Sequence, residues 1–226
     1  MSPEPKAHPA VEPFTCEVRI PGWCLHVAHM VAAEERELGN VMDVAVNGAF
    51  AHITKLCPHG ELTGSSTIVA LRDELRSIGV DPEVSPPSSE FLIEQFLAAG
   101  EVIRGSLAWE FLALLVCRSK TPWSVVDRRC LRPPLEFRAG EPGETIPDQG
   151  GVFNCHGLPV LADGEGAKAS PWTCGLPEEL GSCSEPVFIS YLPKSLFRTI
   201  SPKSHFGQVV WLTWAYHFVF ERRYSS

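Results

Sequence analysis

Three stretches of the chain repeat hydrophobic residues at the spacing of an α-helix. The first begins at Ser65, ends at Gly79, and places four apolar residues on one face: Ile68, Leu71, Leu75 and Ile78. The second begins at Ser88-Ser89, whose hydroxyls suit a helix start, and ends at Gly100. The third, residues 106–117, is apolar on all sides, which predicts a buried helix.

Strands are predicted where short apolar or alternating runs lie between turn residues. Four such runs cover residues 14–21, 135–138, 160–162 and 187–191. Residues 210–220 alternate large apolar side chains with smaller ones, which favours a long or bulged strand over a helix. Helices and strands in this order, without regular βαβ spacing, predict an α+β fold.

The segment between the first predicted strand and the first clear helix carries both kinds of signal. Residues 27–38 are predicted as a helix that ends at Gly39-Asn40. Residues 41–52 are predicted as strands, because Asn47-Gly48 is a residue pair that tight hairpin turns prefer. This segment is therefore expected to add one helix and one hairpin to the fold.

The length of the chain limits the number of domains, and its net charge limits the kinds of binding partner. The chain has 226 residues; residues 1–13, rich in proline, glutamate and alanine, are predicted to be a flexible tail and residues 14–226 a single domain. The formal net charge is -8, so the surface offers no general attraction to nucleic-acid phosphates. The start lacks the features of a signal peptide, and the longest apolar run, residues 209–220, is too short to cross a bilayer. A cytoplasmic protein without membrane contact is expected.

The cysteine spacing and the absence of common catalytic motifs limit the kinds of chemistry that the sequence predicts. Eight cysteines are spread along the chain without a Cys-x-x-Cys pair, so a zinc site is not predicted and the thiols are expected to be mostly reduced. The chain has no glycine-rich nucleotide loop, no His-Glu-x-x-His motif and no Gly-x-Ser-x-Gly motif. Any chemistry is therefore expected to come from side chains alone, with no cofactor and no metal.

Residues 151–174 hold the densest group of candidate binding residues. Within them, residues 158–163 form a short apolar run that predicts a buried strand, and the glycines at 164 and 166 force a loop after it. Polar side chains and a large aromatic follow at residues 169–173. Ligands often bind at a strand that ends in such a loop, although an ordinary surface turn after a strand would leave the same pattern.

Three blocks, in order, carry a resemblance to a known family. The first is a helix with Arg72 that ends at Gly79, followed by a Pro-Ser-Ser-Glu-Phe-Leu helix start with Glu90. The second, residues 134–144, is a strand with a Gly-Glu turn, and the third, residues 154–171, joins an asparagine to Leu-Pro-Val-Leu-Ala-Asp and a Ser-Pro turn. Together these blocks resemble the B3/4-type amino-acid editing module of the phenylalanyl-tRNA synthetase β chain and its free-standing relatives.

The resemblance implies a B3/4-like single domain, in which mixed β-sheets pack against helices around a pocket for an amino acid. Glu90 is the first candidate for acid–base catalysis, because a carboxylate among apolar helices can hold a proton near neutrality. The structural alternative is that Glu90 is simply a carboxylate at a helix start, where the helix dipole stabilises negative charge. Arg72 is the candidate that binds a substrate carboxylate, and an ordinary surface arginine is the alternative.

Six further residues complete the candidate site: His156 as a second acid–base group, and Asn154, Ser170, Trp172, Thr173 and His205 as substrate-binding residues. Histidine can carry a proton near neutral pH, hydroxyls can donate hydrogen bonds to a carboxylate, and an indole can stack on an aromatic substrate. Structural roles for the same residues, such as loop capping and core packing, stay open at this point.

The resemblance, the acidic charge and six tryptophans lead to one main hypothesis. It is a cofactor-free enzyme of natural-product biosynthesis that condenses a tryptophan-like amino acid with an aldehyde in a Pictet–Spengler-type cyclisation; bacterial β-carboline-forming enzymes are an analogy only. The alternatives are a free-standing hydrolase that deacylates mischarged tRNA, which the negative charge disfavours, and a non-catalytic amino-acid-binding module. The apolar face of residues 210–220 further predicts a homodimer.

Overall fold

The computed structural model of the protein describes residues 15–30, 35–148, 151–175, 183, 185–198 and 218–225. Helices and strands in these ranges form the α+β fold that the sequence predicts. The helices of this part are α1 (Glu35–Leu56), α2 (Ser66–Ser77), α3 (Ser88–Ala99) and α4 (Leu107–Ser119). The strands are β1 (Cys16–Val18), β2 (Trp23–Met30), β3 (Trp123–Asp127), β4 (Leu135–Ala139), β5 (Thr145–Asp148), β6 (Gly151–Asn154), β7 (Pro159–Asp163), β8 (Gly166–Ala169), β9 (Pro186–Pro193) and β10 (Phe218–Ser225).

These strands form two four-stranded sheets and a separate hairpin. Sheet I has the order β1-β4-β7-β8, in which β1 and β4 run parallel and the other neighbours run antiparallel. Sheet II has the order β10-β2-β9-β3 and is antiparallel throughout. Strands β5 and β6 pair only with each other as a hairpin. Strands β3 and β8 therefore each lie at an edge of their sheet.

Sheet II lies between helices α1, α3 and α4 on one side and sheet I on the other. On one face, Phe188 belongs to the same buried cluster as the helix residues, and its ring meets Phe111 of α4 at 6.2 Å between centroids. On the other face, Tyr191 packs on Phe137 of sheet I at 5.7 Å, and Leu71 of α2 joins that cluster. Because sheet II is covered on both faces, its central strands are buried almost throughout, as β9 shows.

The three helices predicted from helical spacing are confirmed. In α2, Ile68, Leu71 and Leu75 are buried as the spacing requires, while Ile78 is partly exposed just beyond the helix. Helix α3 ends at Gly100, which takes the left-handed conformation at φ 76° that glycine adopts easily. Helix α4 is buried along most of its length.

Of two predictions for the segment between the first strand and α2, one is wrong in part and the other is wrong. Residues 27–38 were expected to be a helix that ends at Gly39-Asn40. Residues 35–38 are helical, but they begin α1, which continues through Gly39-Asn40, and residues 27–30 belong to β2. Strand β2 is central in its sheet, and its almost continuous apolar run cannot be told from a buried helix by periodicity. Residues 41–52 were expected to form a hairpin, but they lie inside α1. There Asn47-Gly48 faces outward, while Met42, Val46, Ala49 and Ile53 are buried at helical spacing.

Parts of some predictions lie outside the described residues. The predicted tail at residues 1–13, most of the predicted strand at 210–220, and His205 are among them. Of that strand, only residues 218–220 are described, at the start of β10, where they pair with β2. Within the described ranges, the structure contains no helix that combines the length and the apolar character needed to cross a membrane.

Candidate functional site

Glu90 is held at the N-terminal end of α3, where contacts from distant parts of the chain position the helix start. Pro87 precedes the first helical residue, and its side chain provides no cap. The Ser88 amide donates to the Pro171 carbonyl at 2.9 Å, and the Ser88 hydroxyl donates to the Trp123 carbonyl in β3 at 3.3 Å. The start of α3, and Glu90 with it, is therefore positioned by the turn after β8 and by β3.

Arg72 of α2 and Glu90 of α3 form a buried ion pair with an uneven geometry. The Arg72 Nε and Nη2 atoms lie 2.8 and 2.6 Å from the same carboxylate oxygen, Oε2. The other oxygen, Oε1, is buried and has no hydrogen-bond partner among the described residues. The Glu90 side chain has no exposed surface, and that of Arg72 is 14% exposed. One oxygen of Glu90 is thus bound twice, and the other is available.

The electrostatics of this pair suit proton transfer. Burial raises the pKa of the Glu90 carboxyl above its ordinary value, and the Arg72 guanidinium only partly opposes that rise. The hydrogen bond to Glu90 in turn raises the pKa of Arg72, which stays charged. A carboxyl with a raised pKa can hold a proton closer to neutrality, and Oε1 is the atom that can exchange that proton with a bound molecule.

The remaining donor edge of Arg72 is occupied by a second, weaker partner. The Arg72 Nη1 atom donates to Glu83 Oε1 at 2.8 Å, and the Glu83 side chain is 62% exposed. Exposed ion pairs of this kind contribute little to stability, because water screens them. A substrate carboxylate can therefore compete with Glu83 for Nη1, whereas Nε and Nη2 stay with Glu90.

Ser170 and Thr173 form the turn that follows β8, and their hydroxyls are used inside the protein. The Ser170 hydroxyl donates to the Pro159 carbonyl at 3.0 Å, and the Ser170 amide donates to the Thr173 hydroxyl at 3.1 Å. The Ser124 hydroxyl of β3 lies within 2.8 Å of the Ser170 carbonyl and 2.7 Å of the Thr173 carbonyl. This hydrogen-bonded turn links β7, β8 and β3 directly beside the start of α3.

Trp172, in the same turn, packs over the connection between α2 and α3. It is 5% exposed, and its ring is stacked on Phe153 with centroids 6.5 Å apart and planes 9° apart. Its indole N–H donates to the Ser85 carbonyl at 2.9 Å. The indole therefore belongs to the same buried cluster as Leu71 and Tyr191, which is the core-packing alternative, and it presents no exposed face to a substrate ring.

Asn154 and His156 lie on the surface, away from the contacts described for Glu90. The Asn154 side-chain oxygen accepts a hydrogen bond from the His156 amide at 3.0 Å, which is an Asx-type turn at the end of β6. Phe153, the neighbour of Asn154, faces Trp172, so the alternation of a strand directs Asn154 to the other side. No hydrogen bond in the described part of the chain connects either side chain to Glu90.

A second arginine–glutamate pair stands in the block 134–144 of the resemblance. Arg138 Nη1 and Nη2 donate to the two Glu144 oxygens at 2.8 and 2.7 Å, and the Glu141 amide donates to Oε2 at 2.6 Å. The hydrogen bond from Arg138 lowers the pKa of Glu144 to about 2. With both oxygens bound, this carboxylate holds the turn between β4 and β5.

Sequence reasoning missed a cleft of about 300 Å³ between the edge strands β3 and β8, next to β5. Its polar lining includes Asp127, Arg129 and Lys168 and two thiols, Cys130 and Cys183. Glu90 does not line it, whereas Ser124 and Thr173, which contact each other, do. No local pattern marks these residues, because they meet only when the two sheets pack together.

Neither a group of metal ligands nor a similarity to known proteins identifies the kind of site. Among the described residues, no three histidine, cysteine, aspartate or glutamate side chains are grouped to hold a metal ion. The sequence matches no protein-family model and no curated protein. The fold and the site together define an α+β protein with a buried glutamate–arginine pair, in which one carboxylate oxygen has no partner among the described residues.

Proposed function

We propose that the protein is a cofactor-free enzyme that binds a tryptophan-like amino acid and condenses it with an aldehyde in a Pictet–Spengler-type cyclisation. The observation that carries this proposal is the state of Glu90. It is fully buried, its Oε2 is held by Arg72, its Oε1 has no partner among the described residues, and its pKa is raised. A buried carboxyl whose pKa is shifted and that has a specific charged partner is a candidate for a functional site.

The reaction needs a group that moves protons at two points. The substrate amine first adds to the aldehyde, and the hydroxyl of this adduct takes a proton, proposed to come from Glu90, and leaves as water as an iminium ion forms. An indole carbon then attacks the iminium carbon, and the ring carbon that was attacked loses its proton. Glu90 is proposed to take that proton on Oε1, while the Arg72 contacts on Oε2 hold the carboxylate in place.

The substrate carboxylate is proposed to bind Arg72 at Nη1. That position is occupied by Glu83, an exposed residue whose ion pair is readily broken. Because Glu90 has no exposed surface, a substrate reaches it only if a covering group moves. Replacement of the Glu83 carboxylate by that of the substrate would open Arg72 and bring the amino acid beside Glu90 in one step.

Incubation of the protein with tryptophan and a set of small aldehydes, followed by mass spectrometry, tests this proposal. The expected result is a condensed product whose mass equals the two substrates less one water, formed faster than without enzyme. Glu90→Gln, which keeps the shape and removes the basicity, is expected to abolish most of that excess. Product formation at the enzyme-free rate for every pair would reject the cyclase. A parallel deacylation assay with mischarged aminoacyl-tRNA then tests the hydrolase that the same resemblance implies.

A further inference from the structure

Two thiols line the cleft between β3 and β8. Cys130 is exposed at the end of the 3-10 turn Arg128–Cys130, which directly follows β3. Cys183 is half-buried and precedes β9. Both residues line the same cavity of about 300 Å³. The function proposed above uses neither of them.

Both cysteines lie beyond the same end of the paired strands β3 and β9. In the antiparallel pair of β3 and β9, Val126 faces Val187 and Asp127 faces Pro186. The ladder continues by one step, because the Arg128 amide donates to the Glu185 carbonyl at 2.9 Å. Beyond this point the chain leaves the ladder, because residues 128–130 form a 3-10 turn. Cys130 and Cys183 therefore lie two residues from Arg128 and Glu185, at the same end of the two strands, and both line the cleft there.

Asp127 gives a second, independent link between the two thiols. Its carboxylate caps the 3-10 turn by accepting from the Arg129 amide at 2.9 Å, and it also accepts a hydrogen bond from the Cys183 thiol. A 3-10 turn has three residues, so Cys130 lies one turn after Asp127 on the same side. Both cysteines are therefore neighbours of one carboxylate.

We propose that Cys130 and Cys183 form a reversible disulfide when the protein meets a peroxide. The exposed Cys130 thiolate attacks the peroxide, takes one oxygen as a sulfenic acid, and the other oxygen leaves as water after it gains a proton. The Cys183 sulfur then attacks the sulfenic sulfur, its proton passes to Asp127, and the leaving hydroxide takes that proton from Asp127 to become a second water. Two thiols lose two electrons in total, and one peroxide gains them. A thiol reductant reverses the step.

The bond would join the end of β3 to the segment before β9 at the wall of the cleft. Cys183 is the resolving partner and Cys130 the entry point, because burial and the nearby Asp127 raise the pKa of Cys183 to about 12 and keep it protonated. The other described cysteine with intermediate exposure, Cys16, lies on β1 in the other sheet and provides a matched comparison.

Limited peroxide treatment of the folded protein, followed by thiol blocking and peptide mass spectrometry without reductant, tests the proposal. We expect one linked peptide pair containing Cys130 and Cys183, a loss of two of the eight thiols, and full recovery with reductant. In Cys183→Ser, Cys130 is expected to proceed to sulfinic acid, since no partner resolves it. Cys16→Ser is expected to behave as the parent protein.

Three outcomes would overturn the proposal. In the first, Cys130 forms sulfinic acid at the same rate in the parent and in Cys183→Ser. In the second, Cys130 becomes linked to any other cysteine or to a second chain. In the third, Cys130 is not oxidised at peroxide levels that oxidise Cys16. Circular dichroism before and after treatment ensures that the protein is folded during the reaction. Because the readout is covalent linkage, it does not depend on the proposed cyclase activity.

Discussion

The two arginine–glutamate pairs of this protein have the same chemistry and different states. In the pair of Arg138 and Glu144, each guanidinium nitrogen binds its own oxygen, a backbone amide adds a third bond, and the pKa of Glu144 falls to about 2. In the pair of Arg72 and Glu90, two nitrogens share one oxygen, the second oxygen has no partner among the described residues, and the pKa of Glu90 rises.

The difference comes from burial and from how many donors surround each carboxylate. Glu144 keeps 14% of its side-chain surface exposed, whereas Glu90 has none. When a buried carboxylate has few hydrogen-bond donors around it, its ionised form is poorly solvated. One arginine does not fully offset that loss of solvation, so the pKa rises. A fully bonded carboxylate is suited to hold a turn. A carboxylate with one unbound oxygen and a raised pKa is suited to exchange protons.

The largest expected effect is on activity. Glu90→Gln is expected to lower the rate of product formation roughly 100-fold or more, the usual scale for loss of an acid–base group. Glu144→Gln, a change of the same size in the other pair, is expected to leave the rate per folded molecule within about twofold of the parent. Turnover at saturating substrate, with the folded fraction measured by circular dichroism, provides the comparison. Equal losses in the two variants would end the assignment of Glu90.

The next largest effect is on stability, and it concerns the pair of Arg138 and Glu144. Glu144→Ala removes three hydrogen bonds and leaves Arg138, only 16% exposed, without its main partner. A loss of about 2–3 kcal/mol is expected, below the 3–5 kcal/mol typical of a fully buried pair. Glu90→Gln is expected to change the free energy of unfolding by about 1 kcal/mol or less. The Gln side chain can still accept a hydrogen bond from Arg72, and Arg72 keeps Glu83 as its second partner. Urea denaturation of both variants measures this difference.

Local sequence patterns predicted much of the fold, and the family resemblance selected one of the two arginine–glutamate pairs. Helical spacing located α2 and α3, and the resemblance selected Arg72 and Glu90, which the fold brings into contact over 18 positions of sequence. No local pattern shows that two Arg72 nitrogens bind Oε2 and that Oε1 has no partner in the described part of the chain. That geometry depends on Pro171 and Trp123, which fix the start of α3 from distant parts of the chain.

The failures of prediction have the same origin. Asn47-Gly48 signals a hairpin when read alone, but the buried face of α1 that runs through Val46 and Ala49 outweighs it. Ser170 and Thr173 suit ligand binding by residue type, yet Ser124, more than 40 positions earlier, lies against the carbonyls of their turn. The cleft depends on the edges of two sheets meeting, which periodicity does not describe.

The two pairs are also expected to give pH dependences of opposite sign. Glu144 has a folded pKa of about 2, below its ordinary value of 4.5, so its contribution is present above pH 4.5 and is lost as the pH falls toward 2. This loss is on the order of 2 kcal/mol after allowance for solvent screening. Glu90 has a raised pKa, so its contribution instead declines as the pH rises above its ordinary value. Denaturation at several pH values should show a flatter acid limb in Glu144→Gln and a flatter upper limb in Glu90→Gln.

The smallest expected effect concerns Glu83, whose exposed carboxylate holds the third nitrogen of Arg72 at 2.8 Å. If a substrate carboxylate replaces it there, Glu83→Gln removes a competitor. The KM for the amino acid is then expected to fall a few-fold while kcat stays the same, because ground-state and transition-state binding improve equally. Asp73→Asn, which breaks the exposed pair with Arg76, is the matched control; both changes are expected to alter stability by less than about 0.5 kcal/mol. A KM that is unchanged in Glu83→Gln, or that changes equally in Asp73→Asn, would place the substrate carboxylate elsewhere and leave Arg72 with the single role of holding Glu90.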